Sequence, residues 1–171
     1  MSWYVLLVMA VAAERVVELV VARRNAAWSL SRNGVEHGRN HYPVMVVLHT
    51  ALLACCLIEP VLGNRPFLPA LGWPMLVVVL LAQALRWWCI TTLGPHWNTR
   101  VIVIPGARLV RAGPYRFVRH PNYVAVVAEV AALPLVHSAW MTASVLTAAN
   151  VMLLVVRIRC ENAALGTAVT A

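Results

Sequence analysis

Five predominantly apolar runs, at about 3–22, 42–62, 71–93, 122–136 and 139–156, occupy most of the chain. A helix needs ~20 such residues to cross the hydrocarbon core of a bilayer, and a small globule has no room inside for five of them. Of the 171 residues, 61% are hydrophobic and 12% charged, with a mean hydropathy of +0.75. A soluble domain carries about 45–50% apolar and ~25% charged residues. An ordinary soluble domain, a disordered chain and a disulfide-stapled module are therefore excluded. The expected architecture is an all-α integral membrane protein of about five transmembrane helices, forming a single membrane domain over 1–171. His137 and Ser138 alone separate the last two runs, so these form a tight hairpin. Its first arm, 15 residues long, covers only ~22 Å as a helix.

The charges divide the surface. All the cations are arginine, 14 of them against 6 glutamates. In a membrane chain such an excess marks the loops that stay cytoplasmic. Arg23, Arg24, Arg32 and Arg39 fall in the first loop, and Arg100, Arg108, Arg111, Arg116 and Arg119 in the third. Arg157 and Arg159 follow the last run, whereas the second loop holds Arg65 alone. The N-terminus is accordingly expected outside, with the connection 94–121 and the tail 157–171 in the cytoplasm. The pI near 10.4 is then a topology signal, since no polar domain exists to carry nucleic-acid binding. The cysteines, Cys55, Cys56, Cys89 and Cys160, form no CxxC. Glu36, His37 and His41 match no standard metal spacing, so no metal is expected.

With the bilayer claiming the apolar runs, chemistry falls to the polar segments and to the ionisable groups inside helices. The turn signals Pro105-Gly106 and Gly113-Pro114 frame short β-branched pieces. Arg119-His120-Pro121 then opens the fourth helix, with proline in the first turn, where its missing N–H costs nothing. Arg119 and His120 thus stand at a helix N-terminus, whose free N–H groups and dipole favour a carboxylate or phosphate. Arg86 is costly in lipid and must face protein, cytosol or a cavity. Trp87 and Trp88 adjoin it on the third helix, with Gln83 one turn earlier and His49 on the second. Arg15 can pair with Glu18 at i+3, which makes Glu14, Arg15 and Glu18 an expected inter-helix clamp.

The run Leu109-Val110, Gly113-Pro114-Tyr115 and Arg119-His120-Pro121-Asn122-Tyr123 resembles the LV…G-x-Y…RHPxY signature of the isoprenylcysteine carboxyl methyltransferase family. The segment Arg157-Ile158-Arg159-Cys160-Glu161-Asn162-Ala163-Ala164-Leu165 is similar to that family's R-I-x-x-E-E-x-x-L segment. Asn162 stands where the second acidic residue is usual, and Ala107 where a histidine often precedes the Leu-Val pair. The resemblance implies a membrane enzyme that uses S-adenosylmethionine to methylate a carboxylate or an acidic hydroxyl of a lipid-like substrate. It implies Arg119, His120 and Glu161 as catalytic residues. The cofactor pocket it implies contains Tyr115, Arg119, His120, Pro121, Tyr123, Arg159, Glu161 and Leu165, on the cytoplasmic side of a bacterial inner membrane. For the lipid-like substrate that the resemblance supplies, Arg86, Trp87 and Trp88 are the candidate walls of a sideways route. In wording the chain is most similar to small bacterial members, some of which act on polyketide lipids such as alkylpyrones. An acidic oxygen needs no strong general base, so methyl transfer asks mainly for an oxygen held about 3–3.5 Å from the methyl carbon and for exclusion of water.

Two other classes fit parts of this pattern. RHPxY also recurs in NADPH-dependent membrane lipid or sterol-type reductases, for whose cofactor phosphate the arginine loops would serve. A non-catalytic membrane subunit would use the same loops to recruit a partner, and would tolerate replacement of Arg119, His120 or Glu161.

Overall fold

The computed structural model describes residues 1–169, with side chains through Gly166. Its helices are α1 (Ser2–Leu30), α2 (His41–Leu62), α3 (Pro69–Leu93), α4 (Pro121–Leu135) and α5 (Trp140–Val169). Two short strands, β1 (Val35–His37) and β2 (Val101–Val103), pair antiparallel with Glu36 opposite Ile102. Local chemistry sets several of these ends. Pro69 and Pro121 each sit in a first helical turn. Gly94 ends α3 at φ +52, in the left-handed region that favours glycine.

The protein is an α-helical membrane protein. Among the described residues, three helical stretches long and apolar enough to cross a bilayer are built on α2, on α3 with the turn that follows it, and on α5. Those stretches are His41–Leu62, Pro69–His96 and Trp140–Gly166. Of the five crossing segments expected from sequence, the other two do not meet both requirements. α4 has only 15 residues, and α1 carries Glu14, Arg15, Glu18, Arg23 and Arg24.

Two helices outrun their expected ends. α1 continues past 22 to Leu30, and α5 absorbs residues 157–169 of the stretch expected as a tail, 170 and 171 lying outside the described residues. No proline interrupts either extension, and the arginine, alanine and glutamate in them are good helix formers, with Gly166 the weakest position. The α1 extension has a positional consequence. Asn25 donates from Nδ2 to the carbonyls of Gly94 (3.1 Å) and Trp97 (2.8 Å), pinning the start of the 94–121 connection against α1.

α4 lies between α3 and α5 and packs on both. Its buried Val126, Val130 and Leu133 meet Tyr4 and Val8 of α1, Leu52 and Cys56 of α2, Val79 of α3 and Leu154 of α5. In lipid such faces hold by close packing and hydrogen bonds rather than by escape from water. The Tyr4 hydroxyl donates to the Leu133 carbonyl at 3.1 Å across this core. At the α4–α5 joint, Glu59 of α2 accepts from the backbone N–H groups of Met141 (3.2 Å) and Thr142 (2.7 Å). A carboxylate there satisfies first-turn donors of α5 and fixes the hairpin's angle.

Candidate functional site

Residues of all five helices and the arginine-rich 94–121 connection, which includes β2, line a cavity of about 1070 Å³. It reaches from that connection down to ionised groups between the helices. Asn150, Leu154, Arg157, Glu161 and Leu165 line it from α5. Their three- and four-residue spacings put them on one helix face. Because α5 runs unbroken through Glu161, these groups ride on a rigid rod rather than on a loose tail.

At the outer end, the segments around RHPxY and around Glu161 meet. The Tyr123 hydroxyl donates to Glu161 Oε2 at 2.6 Å. The His120 ring stacks on Tyr123, with centroids 5.5 Å apart and planes at 25°. Its Nε2 lies 3.1 Å from Asn162 Oδ1, and its Nδ1 lies 3.8 Å from Glu161 Oε1. Asn162 therefore keeps a polar contact at the position where an acidic residue was expected. Arg157 is 4% exposed, donates to the Thr99 carbonyl at 2.9 Å and lies over the Tyr123 ring at 5.9 Å. It ties the connection to α5 beside the same pocket. Tyr115, in the short turn Gly113–Arg116, faces Cys89, and burial raises its hydroxyl above the ordinary phenol range. It remains a donor. Gly113 precedes it at φ +53, and a Cβ there would meet Thr92 Oγ1 at 2.5 Å, so glycine is required where the turn crosses α3.

Deeper, the wall is a belt of charges. Arg15 Nη1 lies 2.7 Å from Glu18 Oε2 and its Nη2 3.5 Å from Glu129 Oε2. Arg86 is bound to Glu129 and lies 3.5 Å from Glu18. Glu14 accepts from Gln83 and from the Trp87 indole N–H. This is the expected clamp of α1, enlarged to include α3 and α4. Arg15, Glu18 and Arg86 border the cavity.

The sequence-derived residues divide accordingly. Tyr115, Arg119, His120, Tyr123, Glu161, Leu165 and Arg86 all line the cavity. Pro121, Arg159, Trp87 and Trp88 are not brought to it. Pro121 is buried as the start of α4. Arg159 is two residues from Arg157, so it points to the opposite, exposed side of α5. The Trp87 indole is engaged by Glu14, and Trp88 is half-exposed on the outer face of α3.

Sequence reasoning missed Glu129, Arg157 and Asn150. Asn150, Arg157 and Glu161 form a polar stripe on a long apolar helix, a period that would have favoured Arg157 over Arg159. A lone Glu129 among valines and alanines in a membrane segment is itself a marker of a buried partner.

Residues 75–167 match a family model described as the isoprenylcysteine carboxyl methyltransferase (ICMT) family. The chain is 35% identical over 166 residues to YpbQ of Bacillus subtilis, described as an uncharacterized protein, covering 96% of each. It is also 25% identical over 154 residues to an uncharacterized protein of Haemophilus influenzae, covering 90% of this chain and 89% of that one.

Proposed function

Since the chain belongs to the isoprenylcysteine carboxyl methyltransferase family, we propose that its cavity holds S-adenosylmethionine and methylates a carboxylate or acidic hydroxyl of a lipid-like acceptor. The single observation that carries this reading is the 2.6 Å bond from Tyr123 to Glu161, which joins the two family segments in one pocket wall. The residues there suit an amino-acid cofactor. Glu161 has acceptor capacity left for its ammonium, and Arg119 and His120 stand ready for its carboxylate at the α4 N-terminus. Leu165 and the Tyr115 ring offer apolar surface to an adenosine. A cavity of about 1070 Å³ leaves space for a second ligand beside it.

Bound there, S-adenosylmethionine supplies an electrophilic methyl carbon. The chain's own part is positioning. Tyr123 holds Glu161 in place while Arg157 lies over the Tyr123 ring, and Leu153, Leu154 and Val126 give the cavity an apolar middle that keeps water from the reacting oxygen. An acidic oxygen arrives ionised and requires no base from the protein. The arginine-rich end faces the cytoplasm of a bacterial inner membrane in this reading, which is where the cofactor is made and where arginine accumulates.

Ultraviolet cross-linking of methyl-labelled S-adenosylmethionine to the purified protein tests it. Label is expected on peptides spanning 115–123 or 157–165, competed away by excess S-adenosylhomocysteine. Label elsewhere, or label that excess S-adenosylhomocysteine leaves in place, contradicts the assignment.

A further inference from the structure

The deep end of the cavity contains a group that the methyl-transfer site does not use. Asn150 sits on α5 between apolar neighbours, is 2% exposed and borders the cavity. Its Nδ2 has no hydrogen-bond partner among the described residues. A buried amide left unpaired costs about 1–3 kcal/mol, and in a membrane helix such a polar side chain usually hydrogen-bonds across to a neighbour. Two more polar groups line the same cavity. Arg86 is already engaged, its Nη2 paired with Glu129 and its Nε 3.5 Å from Glu18 Oε1. His49 places Nδ1 2.9 Å from the Met45 carbonyl, so Nδ1 carries the proton and Nε2 is left as an acceptor.

The charge state of this level says what fits. Arg15 and Arg86 are already matched by Glu18 and Glu129, with Glu14 adjacent to Arg15. No cationic excess remains to receive a second anion. An uncharged oxygen does fit, because it accepts from Asn150 without disturbing the belt. The outer end is the reverse, with Arg108, Arg111, Arg116 and Arg119 around one carboxylate, Glu161. Asn150 and Arg157 are seven residues apart on one helix, or about 10 Å. Between them the walls are Val126, Leu153 and Leu154.

We infer that Asn150 forms a second recognition point of the acceptor site, reading an uncharged hydroxyl or carbonyl oxygen about 10 Å along α5 from the level of Arg157 in the outer pocket. The inference rests on the methyltransferase reading for the identity of the outer end. It adds that the acceptor is a two-oxygen lipid: acidic toward the cofactor, aliphatic in the middle, and oxygenated again at depth. Asn150 is a specificity determinant and takes no part in the transfer itself.

Binding of decanoate and of ω-hydroxydecanoate to nanodisc-embedded protein, with and without saturating S-adenosylhomocysteine, tests this. The hydroxylated acid is expected to bind about tenfold more tightly, the effect of one net hydrogen bond. In Asn150→Leu, where leucine keeps the volume and suits a membrane helix, that preference is expected to disappear while S-adenosylhomocysteine affinity is retained. Equal affinity for the two acids, binding of neither, or a preference that survives in Asn150→Leu overturns the subsite. Failure of S-adenosylhomocysteine itself to bind counts against the methyltransferase reading instead, and the acids alone still judge Asn150.

Discussion

Arg86 and Arg119 carry the same guanidinium under opposite conditions. Arg86 is 4% exposed and sits between Glu18 and Glu129, while Arg119 stands exposed at the cavity rim with no ion pair among the described residues. A charge between membrane helices loses its hydration, and only a partner at close range offsets that loss. At the rim, water and lipid headgroups solvate the cation, so its charge remains available to a ligand. The belt is therefore a structural element in which every charge is spent on another. The rim is a binding element in which cations outnumber carboxylates.

Breaking the belt has the largest expected effect. Glu129→Leu leaves Arg86 and Arg15 each short of a carboxylate, and removing one partner of a buried pair costs about 3–5 kcal/mol. Thermal unfolding in mild detergent is expected to show a large loss of stability for this variant. The double variant Arg86→Met/Glu129→Leu recovers most of it, because no unpaired charge remains. A single variant as stable as the parent would remove the distinction between belt and rim.

Glu161→Gln strikes the rim. Its amide still accepts from Tyr123, so the ligand-free protein keeps its stability, while S-adenosylhomocysteine affinity falls by about tenfold or more as a charge-assisted contact is lost. Calorimetric titration checks both the affinity and the integrity of the sample. A smaller effect distinguishes the faces of α5. Arg157→Gln is expected to weaken S-adenosylhomocysteine binding several-fold, and Arg159→Gln to leave it unchanged. The reverse ranking would restore the assignment first drawn from the sequence. Salt gives the mildest test. Raising the ionic strength from about 0.05 to about 0.5 M shortens the screening length to a few ångströms. Decanoate affinity at the rim should drop a few-fold, with the melting temperature unmoved because the belt is shielded from solvent.

Hydropathy located the apolar part of every helix, because the cost of exposing backbone to lipid leaves a chain few other choices. It placed the ends of α1 and α5 too early, since a helix that leaves the bilayer need not stop where its hydropathy does. The outer pocket was legible because its residues lie in two compact local patterns, around His120 and around Glu161. The belt was legible only on α1, where Arg15 and Glu18 are one helical turn apart. Glu129 is more than a hundred residues from Arg15 and pairs with it through packing alone, and no local period reports that. Trp87 and Trp88 show the same limit in reverse: adjacent in sequence, they lie on different faces of α3, and neither borders the cavity.

The central claim is that the rim pocket is built for a methyl-transfer cofactor. Thermal shift of the purified protein with S-adenosylhomocysteine, set against NADPH, tests it most directly, with Glu161→Ala and His120→Ala alongside. Stabilisation by S-adenosylhomocysteine that both variants lose is the expected result. Stabilisation by NADPH alone, or by neither compound, would contradict the account.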